Sequence, residues 1–486
     1  MRRLVLSLLI MSGLWLLVWP LPESVSPPAG FVVVEYWEKW TGEEARAMQQ
    51  IVDDFNQSVG RQKKIYVRYQ SISAVNEKTL VATAAGVPPD VAGLWDEQIA
   101  QFAALGALLE IDDLAASLGR PITPDLYKPI YWKGCNYHGH LYALISTPAT
   151  YALHYNQRIF YENADELRQA GLDPWRPPRT IQELDAYAQV LDRFSPGPGH
   201  RIERTGYLPM ERAVALDFAS FWFGGEIFDA KTGKFTLTDD AVVGAYDWIG
   251  SYGRRLGPGS ITEFTSGKSN FNSVNNPFIT GELVMELQGP WMASFIARLQ
   301  PKKSQMSDRL VPFALEPYLP RVLRPFNYDW GVAAFPPARP GLKNVTLATF
   351  DALVIPRGAR HPREAFEFIN FVNRQEEMEK LCSLHCKNSP LQKVSEHFLA
   401  AHPNPYAGVF DELARSPGAH GLAELEIWPQ VSEELANVAQ QIYLRTGPVE
   451  RQTPTIDILR AAQERLQQEY DLFHHSQELR AEKIKP

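Results

Sequence analysis

Two short segments set carboxylates beside tryptophans. Trp37 and Trp40 flank Glu38, and Trp95 is followed directly by Asp96 and Glu97. Indole faces stack on C–H-rich rings and carboxylates accept hydroxyl protons, so this grouping suits a neutral, polyhydroxylated small molecule. Packing is the competing reading. Either tryptophan of the first segment could lie under a lobe, and Asp96 has the position of a helix N-cap. Five further places offer similar chemistry. Tyr151 follows Thr147; Trp222 precedes Gly224-Gly225, where a backbone could approach a ligand; Trp291 ends the turn Gly289-Pro290; Trp330 follows Asp329; and Asp351 follows Phe350. Phe218, Phe221 and Phe223 make a core role strong at Trp222. Asp351 lies in an apolar stretch, where a carboxylate is costly unless paired or solvated.

Other chemistries find less support. A glycosidase needs two carboxylates across a bond, and Glu38, Asp96 and Asp351 could be imagined so, but nothing in the sequence fixes their spacing. No G-x-S-x-G, H-E-x-x-H or P-loop occurs. Two trios could ligate a metal, Cys135/His138/His140 and Cys382/His385/Cys386, but neither has paired-knuckle spacing. Neither a metal nor a cofactor is therefore expected. Cys382 and Cys386 could instead pair as a disulfide, leaving Cys135 free.

The 486 residues suggest two to four structural units, and 45% hydrophobic with 21% charged residues describes an ordinary globular chain. A net charge of −8 without a basic cluster argues against nucleic acid as a partner. Arg2 and Arg3 precede an apolar run, Leu4 to Trp19, and a proline-rich exit follows. Residues 1–30 therefore read as a signal peptide or an N-terminal anchor, the run being short for a membrane helix.

The elements that must position these residues follow from periodicity. FVVVEYW (31–37) reads as a buried strand, and Thr41 with Glu44 as a capping box opening a helix with Met48, Ile51, Val52 and Phe55 on one face. IYVRYQ (65–70), a helix ending at Gly86, the strand DVAGLW (90–95) and a helix with Ile99 and Phe102 complete a strand–helix alternation. That alternation predicts an α/β unit with a mainly parallel sheet. Residues 139–157, 329–336 and 349–356 read as three crossings between lobes, and Thr180 with Glu183 as a second capping box. Helices at about 429–445 and 453–474 end the chain.

In this order the segments resemble the extracellular solute-binding proteins of bacterial ABC importers, in the maltose-binding-like, sugar-binding branch. The matching pieces run from VVVEYWEKWTGEEARAMQQIVDDFN through AAGVPPDVAGLWDEQIAQFAALGALLEIDDL, LYALISTPATYALHYNQRIF and AGLDPWRPPRTIQELDAYAQVL. NPFITGELVMELQGPWM, DWGVAAFPP and ALVIPRGARHPREAFEFINFV follow. Thr349-Phe350-Asp351 departs from the family, which commonly has glycines there.

The resemblance implies a two-lobed periplasmic-binding-protein fold of type II, with a ligand cleft between lobes joined by hinge strands. One lobe would comprise 31–149 plus 334–349, the other 150–333 plus 350–486. It also implies an exported monomer, periplasmic or otherwise extracytoplasmic, that captures a carbohydrate by hinge closure and passes it to permease subunits of the inner membrane. A membrane-tethered ligand sensor on the same fold is the alternative, with a carboxylate-pair glycoside-processing enzyme behind it. Ligands of open α/β sheets lie beyond the C-terminal strand ends, which again points to Trp37–Thr41 and Trp95–Glu97.

Overall fold

A computed structural model describes residues 27–117, 122–197, 201–209, 218–266, 273–299, 330–448 and 451–484. The apolar run 4–19, Asp329 and the connection 300–326 lie outside the described residues. Two sheets organise the chain. The first contains β1 (Val32–Glu38), β2 (Ile65–Ser71), β3 (Val91–Trp95) and β4 (Ala143–Thr150). The second contains β5 (Ala152–Asn156), β6 (Ile202–Tyr207), β7 (Leu283–Gln288) and β8 (Trp330–Ala333). The chain then returns to the first sheet with β9 (Thr346–Val354) and the short β10 (Ala419–His420).

The first sheet has the order β10-β9-β3-β1-β2, with β4 also paired to β9; β1 is parallel to β2 and β3, and β9 is antiparallel to β3 and β4. The second has the order β8-β5-β7-β6, ending on Arg193–Phe194. Each sheet is covered by helices whose apolar stripes match it. Met48, Ile51, Val52 and Phe55 of α1 (Gly42–Gln57) join Val34 and Tyr36 of β1 in the first core. In the second core, α2 (Asp240–Leu256) packs on α5 (Trp428–Tyr443), with the start of α6 (Thr455–Ile484) beside them.

The hinge is built from β4 and β9. Leu144 and Ile145 lie in the first core and Ala149 in the second; along β9, Leu347 lies in the second core and Ala348 and Phe350 in the first. A third, smaller cluster joins Trp330, Val332, Met292 and Phe295 to Cys386, Phe410 and Leu413.

Several expectations need correction. Residues 350–398 do not belong with the second lobe. Phe366, Phe368 and Ile369 of α3 (Pro362–Val372), and Met378 and Leu381 of α4 (Gln375–Leu384), bury themselves in the first core. The stretch 349–356 is the body of a first-sheet strand, and the third passage lies after β10, where Leu425, Ile427 and Trp428 enter the second core. Thr180 accepts from the Glu183 amide as its capping box requires, but Thr41 makes no side-chain cap. All three cysteines are free and buried, so Cys382 and Cys386 do not pair.

Candidate ligand cleft

β1 and β3 end side by side, and their C-terminal ends carry the two tryptophan–carboxylate segments to one edge of the first sheet. β9 sets Asp351 directly opposite Trp95 in the antiparallel register. The residues that meet there form an ionic cluster rather than a row of free carboxylates. Lys39 Nζ lies 3.0 Å from Asp351 Oδ1 and 3.3 Å from Glu38 Oε1, and donates to the Leu94 carbonyl at 3.1 Å. Lys387 Nζ donates to Asp351 Oδ2 and Thr147 Oγ1, both at 2.8 Å, and Thr147 donates to Asp351 at 2.7 Å. Burial alone would raise the Asp351 carboxyl, but the two ammoniums outweigh it and hold the group well below the usual carboxylate range. Burial likewise works against the Lys39 charge, yet Asp351 and Glu38 keep its ammonium raised.

Glu38 is fully buried and already spoken for. Tyr36 donates to it at 2.6 Å and the Lys39 amide at 2.8 Å, while Gly93 makes room, since a Cβ there would sit 2.0 Å from Glu38 Oε2. Glu44, freed from capping, faces Lys387 and Asp351, and burial pushes its carboxyl up. Trp40 is buried against His385, with ring centroids 4.5 Å apart. Burial and Lys387 hold His385 down to about 3, so the imidazole is neutral.

From the second lobe, Trp291 reaches this cluster. Its ring meets Tyr151 edge-on at 5.6 Å, and Lys387 Nζ lies 5.5 Å from its centroid. Its Nε1–H is buried with no acceptor among the described residues. Trp95 is 46% exposed, the most open tryptophan of the group, with Lys39 Nζ 5.2 Å from its ring. On the other face of β9, a cavity of about 70 Å³ separates the first lobe from the third passage, lined by Asp96, Lys133, Phe350, Glu424 and Trp428 among others.

The fold thus gathers Glu38, Trp40, Trp95, Tyr151, Trp291 and Asp351. Asp96 lies beside them but faces the cavity. It accepts the Phe350 amide instead of capping a helix, and burial, with Glu97 adding, pushes its carboxyl well up. Glu97 accepts from Gln98 at 2.7 Å. Trp37, half-buried, packs against the first core. Two candidates are placed elsewhere. Trp222 is 1% exposed in the second core with its N–H donated to the Val345 carbonyl at 3.0 Å. Trp330 is stacked on His154 and packed on Tyr406 in the third cluster. The sequence reading missed Lys39, Glu44, His385 and Lys387. The one signal for the lysines was Asp351 itself, whose burial requires a cation.

The first cysteine–histidine trio also comes apart. Cys135 points its thiol at the Tyr131 carbonyl, His138 stacks on Tyr137, and His140 instead pairs with Glu110 and Asp112 at the surface.

Comparison with known families decides the assignment. The family model described as bacterial extracellular solute-binding protein matches residues 50–392. The chain belongs to that family. A maltotriose-binding protein of Pyrococcus abyssi is 23% identical over 266 residues, which span 54% of this chain and half the length of that relative. Among solved structures, CpMnBP1 with mannobiose bound superposes with a TM-score of 0.71 at 23% identity, covering 89% of this chain and 99% of its own. The sugar-binding protein MalE of Xanthomonas citri gives 0.65 at 20% identity, covering 93% and 100%. UgpB of Mycobacterium tuberculosis, in complex with glycerophosphocholine, gives 0.64 at 20% identity, covering 92% and 100%. These neighbours share the two-lobed α/β fold of this family member. No helix among the described residues is long and apolar enough to cross a membrane.

Proposed function

We propose that this solute-binding protein captures a neutral carbohydrate, a mono- or oligosaccharide, between its lobes and delivers it outside the cytoplasm to permease subunits of an ABC importer. The observation that carries the reading is a charge-balanced cluster, edged by aromatic rings, where the two lobes meet. Lys39 and Lys387 are matched by Asp351 and Glu38 within the protein, which leaves no surplus positive charge for an anionic ligand. Trp95 offers an open indole face, and the Trp291 N–H lacks an acceptor that a sugar hydroxyl would supply. The same internal pairing speaks against a glycosidase, since neither Asp351 nor Glu38 is free to move a proton. The sugar ligands of CpMnBP1 and the name of the Pyrococcus relative support the class.

The test is thermal shift and calorimetry on residues 31–486 with mannobiose, mannotriose, maltotriose, tagatose and glycerophosphocholine. A neutral sugar at 100 times its dissociation constant adds about 2.7 kcal/mol, several degrees of melting temperature. Trp291→Ala is expected to abolish the shift. Binding of glycerophosphocholine alone would overturn the neutral-sugar reading.

A further inference from the structure

Lys387 stands where the first lobe meets the Trp291 segment, and its side chain is only 4% exposed. Two of its three N–H groups go to Asp351 and Thr147, on the two hinge strands. The ammonium also lies over two indoles, 5.5 Å from the Trp291 centroid and 5.8 Å from that of Trp40. A buried ammonium is costly unless every side of it is satisfied, and an aromatic face serves where no oxygen is present. The backbone around it is equally constrained. The Lys387 amide donates to the Cys382 carbonyl at 2.8 Å, and Cys386 before it holds a left-handed φ of 57°. Buried Asn404 donates from one Nδ2 to both the Cys386 and the Pro290 carbonyls at 3.1 Å, tying the residue before Lys387 to the residue before Trp291. The ring itself rests on Gly289, where any Cβ would lie 2.2 Å from it, and against Tyr151.

These contacts hold the indole on both faces and at its backbone, yet its buried Nε1–H is left without a partner among the described residues. We propose that Lys387 is a positioning residue: held by Asp351 and Thr147, it clamps the Trp291 indole so that the unpartnered N–H faces the captured ligand. The clamp is a property of the ligand-free protein; only its consequence for affinity rests on the carbohydrate reading above.

The test separates the two. Indole N–H resonances of ¹⁵N-tryptophan-labelled, ligand-free protein report each ring, and Trp291→Phe assigns the Trp291 peak. Lys387→Met is expected to move or broaden that peak while leaving the peak of Trp222, in the second core, in place; Lys387→Arg, which keeps the cation, is expected to restore it. Lys387→Gln, which keeps a donor without the charge, serves if the methionine variant does not fold. Calorimetry with mannobiose and maltotriose is expected to show about tenfold weaker binding in Lys387→Met, the scale of one desolvated cation–π contact. An unmoved Trp291 peak overturns the proposal, as does a moved peak with unchanged sugar affinity. A moved peak in a protein that binds neither sugar supports the clamp and sinks the carbohydrate reading instead. A purely structural lysine would lower the melting temperature without shifting Trp291 relative to Trp222.

Discussion

Replacing Asp351 by asparagine removes the one charge that two buried ammoniums share. Lys39 would keep Glu38 at 3.3 Å, but Lys387 would be left with the Thr147 hydroxyl, two ring faces and the Glu44 carboxyl that faces it without a hydrogen bond. Breaking a buried pair from one side costs about 3–5 kcal/mol, because the remaining charge stays desolvated. For a lobe of roughly 200 residues, at about 2–4 °C per kcal/mol, that is a fall of about 6–20 °C in melting temperature. Urea denaturation followed by circular dichroism at pH 7 measures it directly. The triple variant Thr147→Val, Asp351→Leu, Lys387→Met removes the pair and its hydroxyl together and leaves Lys39 matched to Glu38. It should recover most of the loss, since apolar replacement of a buried pair is often neutral. The pH dependence has a definite sign. Asp351 is held below the ordinary aspartate value, so its contribution is present above about pH 4 and is lost as pH falls below it. The gap between wild type and Asp351→Asn should therefore narrow in acid. An asparagine variant within about 1 kcal/mol of wild type, or a triple variant no better than the single, would refute the pairing argument.

Two further outcomes are expected. Trp222→Phe should cost about 2–3 kcal/mol, from the lost bond to the Val345 carbonyl and the space left in the core, yet leave sugar affinity unchanged; weakened binding would return Trp222 to the cleft. His385 and His154 are held by burial to about 3 and about 4, neutral when folded and protonated when unfolded below about pH 6.5. Stability should then fall as pH drops below 6.5, by up to about 1.4 kcal/mol per unit for each histidine, and flatten in the His154→Phe, His385→Phe double variant. Equal urea midpoints at pH 7 and pH 5 in wild type would contradict this.

Local pattern carried the sequence reading where one element decides its own state. The apolar run at 31–37, the stripe Met48/Ile51/Val52/Phe55 and the left-handed Gly86 are settled by neighbours a few residues away, and all three are found. The same patterns say which face of a helix is apolar but not which sheet it covers. The helices at 362–384 have legible stripes, yet the stripes alone do not say that they cover the first sheet. Tryptophan type alone could not separate Trp291, beside the ionic cluster, from Trp222, in the core, since both follow apolar segments beside glycines. Thr41 and Glu44 had the residues of a capping box, but Glu44 faces an ammonium more than 340 positions away in the chain. The buried carboxylate at 351 announced that a cation must exist. Its identity was decided by the fold, because Thr147, Asp351 and Lys387 meet only once β4 and β9 pair and the turn after α4 closes against them. A charge in an apolar strand is a local fact, and its partner is a tertiary one, selected by the desolvation penalty that only a packed interior imposes.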